Sequence, residues 1–151
     1  MQEALRGLGL PDAVRELDAS TRTAPEAAAA VGCELGAIVK SLVFRGADSG
    51  EPVLVLVSGD NRAVEARVAS ELGEGVERPD ADFVRSATGY AIGGVPPVGH
   101  PGEVRMLVDE DLMRFEEVWA AAGTPRAVFP VEPRELARAA GGRVAAIAQR
   151  I

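Results

Sequence analysis

Ile38-Val-Lys-Ser-Leu-Val-Phe44 and Pro52-Val-Leu-Val-Leu-Val57 decide the fold. The first is rich in branched and aromatic residues. The second is apolar at every position after its proline, the pattern of a strand covered on both faces. A turn over Gly46–Gly50 separates them, so the pair reads as a β-hairpin. The segment Ser58-Gly-Asp60 ends the second strand.

Upstream of this hairpin, residues 2–9 read as a short helix ending on glycine, with Pro11 beyond it, and Val14 to Asp18 as a short strand. Thr23-Ala-Pro-Glu26 has the form of a capping box with proline in the first turn; the helix it starts runs to Val31 and is closed by Gly32. Downstream, Arg62 to Leu72 reads as an amphipathic helix, Val76 to Arg78 as a brief strand, and Pro79/Asp80 as the start of a helix reaching Ala87. Residues 89–102 hold five Gly and three Pro and predict an ordered, stiff loop. Strands are expected at Glu103 to Val108, Val118 to Ala122, Ala127 to Val131 and Arg143 to Ile147, with a helix over Pro133 to Ala139. Antiparallel hairpins mixed with helices make an α+β domain on a mixed sheet. No repeat or linker interrupts residues 1–151, which read as one domain.

Composition narrows the chemistry. The 151 residues include one Cys, one His, one Asn and one Lys beside 15 Arg, with a net charge of −7. Cys33 alone excludes a disulfide framework, and one Cys with one His cannot build a four-ligand protein zinc site. No apolar run approaches the ~20 residues that span a bilayer, so a soluble protein of a reducing compartment is expected. Residues written by G/C-rich codons dominate, and such a chain uses Arg wherever a surface cation suffices. Lys40 therefore stands out, because Arg does not replace Lys where a compact ammonium on a flexible stem is needed. Within an apolar strand Lys40 either snorkels to solvent or points into a cavity, where it would donate to an anion or a developing oxyanion.

Gly32–Ser41 contains glycines followed by Lys-Ser, but Val39 precedes Lys40 and a strand follows, so a phosphate-binding P-loop is excluded. Neither G-x-G-x-x-G nor G-x-S-x-G occurs, which removes dinucleotide folds and hydrolase elbows. The loop Ser86-Ala-Thr-Gly-Tyr-Ala-Ile-Gly-Gly-Val-Pro-Pro-Val-Gly-His100 reads either as a structural crossover or as a rigid wall presenting backbone N–H groups to a ligand. His100, which closes it, is a plain loop residue or a substrate contact. Cys33 reads as a small buried residue, and the acidic residues at 109–111 and 116–117 as a solvated helix surface. Residues 121–151 carry five Arg and two Glu, a net +3 that could face an anionic partner or simply line a solvated face.

Val39-Lys-Ser-Leu-Val-Phe44, followed about fifty residues later by Ala87-Thr-Gly-Tyr-Ala-Ile-Gly-Gly-Val-Pro-Pro-Val-Gly-His100, resembles the YbaK/EbsC family, free-standing relatives of the editing domain in bacterial prolyl-tRNA synthetases. Gly59-Asp60 and the Ala122-Gly123 turn also match, so the likeness runs nearly end to end. The resemblance implies a mixed, mostly antiparallel sheet curled into a partial barrel with flanking helices. It implies a trans-editing hydrolase that removes a wrongly attached small amino acid from tRNA, that for proline above all, in the cytoplasm. The essential cation would be Lys40, with Ser41, Phe44, Gly93, Gly94, Val95, Pro96, Pro97, Gly99 and His100 around the substrate. No metal or organic cofactor is implied. The implied partners are the acceptor end of aminoacyl-tRNA and a prolyl-tRNA synthetase, with the chain a monomer or homodimer and no membrane involved. Cys-selective members carry Ser and Asp where this chain has Ala121 and Val128, which leaves the amino acid open. The net charge of −7 implies a small contact at the acceptor end. Two other readings stand beside the deacylase: a non-catalytic pocket protein for a small ligand, nucleotide or aminoacyl-tRNA end, and a structural interaction domain with Lys40 exposed and the loop packed shut.

Overall fold

The hairpin is the centre of the molecule. In a computed structural model that describes residues 1–21, 23–92, 94–102 and 104–151, strand β2 (Val39–Gly46) pairs antiparallel with β3 (Pro52–Ser58) along its whole length, from Val39↔Ser58 to Arg45↔Pro52. Leu54 and Leu56 of β3 face one core, with Val39, Val95, Ala120 and Phe129. Val53, Val55 and Val57 face another, with Phe44, Val68 and Ile147. Burial on both faces explains the unbroken apolar run.

Before the hairpin come α1 (Gln2–Gly7), β1 (Arg15–Glu16) and α2 (Ala24–Val31). Thr23 caps α2 by accepting from the Glu26 N–H at 3.3 Å, and Gly32 ends it in the left-handed conformation, as the capping box predicts. After it come β4 (Asn61–Ala63), α3 (Glu65–Leu72), β5 (Val76–Glu77), α4 (Ala81–Thr88), β6 (Arg105–Asp109), β7 (Val118–Ala121), β8 (Ala127–Val131), α5 (Pro133–Ala140), β9 (Arg143–Ala145) and β10 (Ala148–Arg150). Among the described residues the main sheet has the order β5-β2-β3-β6-β9, with β6 parallel to both neighbours; β1-β8-β7 and β10-β4 form two smaller sheets. This is a mixed α+β architecture, and no helix among the described residues is long and apolar enough to cross a membrane.

Three expectations change. The helix placed over Arg62 to Leu72 starts only at Glu65, because Asn61–Ala63 is drawn into antiparallel pairing with Ala148–Arg150. The single last strand over Arg143 to Ile147 is two strands, separated by a bend in which the Ile147 N–H reaches the Ala145 carbonyl. Asp109 is not a solvated residue: it is 1% exposed, at the end of β6.

Candidate active site

Along β2 the side chains alternate, Val39 and Val43 to one core and Leu42 and Phe44 to the other. Its partner β5 covers only Arg45 and Gly46. The outer edge of β2 from Lys40 to Phe44 therefore carries no strand among the described residues, and a cleft opens there between β2, α2 and the β7–β8 hairpin. The cleft has a volume of about 430 Å³, within the range of small-molecule sites. Ile38, Val39, Ala120, Ala121 and Val128 give it apolar walls, and Lys40, Ser41, Thr21 and Thr23 bring polar groups. Three of the large hydrophobics that remain exposed, Leu35, Ile92 and Ile151, also line it. A smaller chamber of about 230 Å³, lined by Phe44, Arg78 and Val84, shares Ser41, Leu42, Ile92 and Val95 with the cleft and continues it along the strand edge.

Lys40 is half-buried, and its Nζ donates to the main-chain carbonyl of Asn61. Burial lowers the ammonium below the ordinary lysine value, against the opposing pull of Asp60 and Asp109. Behind the carbonyl lies a polar network. The Asn61 amide donates to Asp109 Oδ2 at 2.9 Å and to Asp111 Oδ2 at 2.7 Å. Asp109 also accepts the Ser58 N–H at 3.1 Å. Asp60 accepts from Arg114 at 2.9 Å. Partial burial raises the Asp60 carboxyl, but the Ser58 and Arg114 hydrogen bonds outweigh it and hold it below its ordinary value. The turn that carries Asp60 is possible because residue 59 is glycine: a Cβ there would lie 2.2 Å from the Leu35 carbonyl oxygen.

The glycine–proline loop is divided between two faces. Gly93 lies outside the described residues. Gly94 to Val98 are buried, and Gly94 packs against the 123–124 turn, where a Cβ would meet main-chain atoms at 3.3–3.4 Å. Of this stretch Val95 lines the Lys40 cleft. Pro97, Gly99 and His100 instead line a separate groove of about 660 Å³ with Leu8, Arg105 and Met106, and Pro96 contributes to neither. His100 Nε2 lies 2.7 Å from the Pro96 carbonyl, so that nitrogen carries the proton. Burial lowers the imidazole below its ordinary value while this bond opposes the shift. The structure thus brings Lys40, Ser41 and Val95 together, sets Phe44 in the adjoining chamber, and places Pro97, Gly99 and His100 elsewhere. Sequence reasoning missed Asn61, Asp109 and the exposed apolar rim. Its one available signal was that the chain's only Asn follows the Gly59-Asp60 turn.

Cys33 is half-buried with its thiol pushed up by burial, the opposite of an activated nucleophile. No group of three or more His, Cys, Asp and Glu side chains able to hold a metal ion occurs among the described residues.

Comparison with known proteins places the chain in a family. The chain is 31% identical over 123 residues to the uncharacterized protein YwhH of Bacillus subtilis, covering 82% of this chain and 78% of that protein. It is 32% identical over 96 residues to a proline–tRNA ligase of Thermoanaerobacter, a match to 62% of this chain and only 16% of the ligase. The solved structure of a candidate trans-editing enzyme for prolyl tRNA synthetase superposes with a TM-score of 0.91 at 49% identity, covering 98% of this chain and 94% of that one. The model of the aminoacyl-tRNA editing domain matches residues 18–139, a span that holds the hairpin, Lys40 and the glycine–proline loop together, and the chain belongs to that family.

Proposed function

We propose that the chain is a trans-acting deacylase that hydrolyses the ester between a wrongly attached small amino acid and tRNA, with tRNA for proline as the principal substrate. The family and its likeness to prolyl-tRNA synthetase editing regions support the reaction class. The observation that carries the site assignment is the position of Lys40 at the edge of an apolar cleft with one of its three N–H donors bound to Asn61.

An aminoacyl ester is already activated, so catalysis requires positioning and charge stabilisation more than a strong nucleophile. Water adds to the carbonyl carbon, the bond to the ribose oxygen breaks, and the proton ends on that oxygen, releasing free amino acid and intact tRNA. Lys40 steadies the oxygen on which negative charge develops. The edge of β2 beyond its two-residue pairing with β5 offers main-chain N–H groups as further donors in this reading. The Ala120, Ala121 and Val128 walls select by size and offer no charged partner, which favours a small uncharged side chain. Leu35, Ile92 and Ile151 at the mouth present an apolar rim to the terminal nucleoside.

Residues 1–151 act as one domain in this reading. The Ile38–Trp119 bridge links β7 of the β1-β8-β7 sheet to the residue just before β2, which supports reading the sheets as a partial barrel. The protein works in the cytoplasm on the acceptor end of tRNA, alone or beside prolyl-tRNA synthetase. The test is a panel of mischarged tRNAs incubated with the wild type and Lys40→Ala. Removal of the ammonium is expected to lower the rate by about 100-fold or more, the loss that follows deletion of one oxyanion-stabilising donor. Equal rates for the two proteins would overturn the assignment of Lys40.

A further inference from the structure

The chain contains one lysine and one asparagine, and the two are bonded to each other. Asn61 is 1% exposed, yet no apolar residue fills its place. Its amide nitrogen sits between two carboxylates, Asp109 at 2.9 Å and Asp111 at 2.7 Å. That position demands a group with two N–H donors. Lys or Arg would supply donors but would set a second full charge beside Lys40, and Asp would be a third carboxylate. A neutral amide meets the demand without adding a charge beside the ammonium. The main chain of residue 61 is fixed from the other side as well, since Asn61 pairs with Arg150 and the Ile151 N–H bonds the Asp60 carbonyl at 3.1 Å.

We propose that Asn61 is a positioning residue for Lys40. Clamped by its amide between Asp109 and Asp111, it holds its main-chain carbonyl where it takes one N–H of the ammonium and leaves the other two for the cleft. A lysine side chain has four rotatable bonds and scatters its charge unless anchored. The carbonyl provides the anchor, and the side-chain clamp keeps the carbonyl still. The inference rests on the deacylase reading for its consequence and on geometry alone for the clamp.

The experiment compares the full chain with Asn61→Ala, Asp111→Ala and Asp111→Asn. Steady-state kinetics use a mischarged tRNA that the wild type clears. Proton exchange at the lysine ammonium is followed by nitrogen-15 NMR at mildly acid pH and low temperature, where a single lysine gives an unambiguous signal. Asn61→Ala and Asp111→Ala are expected to lower kcat roughly tenfold with KM within about twofold, the signature of lost orientation, and to speed ammonium exchange. Asp111→Asn keeps an oxygen that accepts from Asn61 and stays near wild type in both readouts. The proposal is overturned if kcat falls while ammonium exchange is unchanged, if exchange speeds up while kcat holds, or if Asp111→Asn behaves as Asp111→Ala. Should Asn61→Ala fail to fold, the half-buried Asp111 pair decides the matter. If the wild type clears no mischarged tRNA, the deacylase reading fails, while the exchange data still decide the clamp.

Discussion

Lys40 is set between opposing forces. Its aliphatic stem lies among apolar walls, which disfavours the charge, while Asp60 and Asp109 favour it. The first effect is the larger, so the ammonium loses its proton below the ordinary lysine value of about 10.4. The sign of the linkage follows. Between the folded and the unfolded pKa the unfolded chain holds more protons, and stability rises with pH across that window. For catalysis the direction reverses, since only the charged form stabilises an oxyanion, and the alkaline limit of activity falls earlier than an exposed lysine would set it. The single lysine makes this directly measurable. Labelled at its ε-carbon and titrated by NMR, the native protein is expected to show a midpoint below that of the same chain in denaturant. A native midpoint equal to or above the denatured one would contradict the burial argument.

At the scale of elements, the turn joining β2 to β3 is held from outside the hairpin. The Glu74 carboxylate accepts the N–H groups of Asp48 and Ser49 at 3.0 Å each and pairs with Arg105 of β6 at 2.8 Å. The Ser49 N–H is the main influence, and with Arg105 and Asp48 it outweighs desolvation and holds this carboxyl down to about 2. A carboxyl depressed in the folded state adds stability that is complete above its unfolded pKa, about 4.3, and disappears as pH falls through the folded value. Glu74→Gln is therefore expected to lower Tm at pH 7 by a few degrees. The gap between the two proteins should narrow below about pH 4 and close near pH 2. A gap that stays constant down to pH 2 would contradict this account. The hairpin itself was legible in sequence because its signals are local: two apolar runs, a glycine-bounded turn, and a Thr–Glu cap three residues apart. The pairing of Asn61–Ala63 with Ala148–Arg150 was not legible. Each strand is three residues long, the two are more than eighty residues apart, and neither alternates strongly enough to outweigh the helical pattern beginning at Glu65. Asp109 was misread for the same reason, since a buried carboxylate looks like any surface acid until its distant partners, Ser58 and Asn61, are known. Lys40 was legible because its rarity is a property of the composition.

The whole molecule carries a net charge of −7 and must still meet a polyanion if it acts on tRNA. Three of the five C-terminal arginines are already engaged, for Arg138 pairs with Glu135, Arg143 with Glu71, and Arg150 approaches Asp60 at 3.6 Å. Among the described residues, Arg62 and Arg78 line a neighbouring chamber of about 460 Å³ together with Lys40 itself. Three cations around one chamber can neutralise only a few phosphates, and a single-stranded acceptor end offers few. With about two phosphates neutralised, log K should fall with log salt at a slope of roughly −1.4, so raising salt from 50 to 200 mM weakens binding about sevenfold. A protein gripping the tRNA body through six or more phosphates would lose a thousandfold or more over that range. We therefore expect the salt dependence of KM to be shallow, and an acceptor-stem minihelix to be deacylated nearly as well as full-length tRNA. A steep slope, or a minihelix that fails where the full tRNA succeeds, would mean that contacts beyond the cleft carry recognition. The acidic surface would then have to be covered by a partner that supplies the missing positive charge.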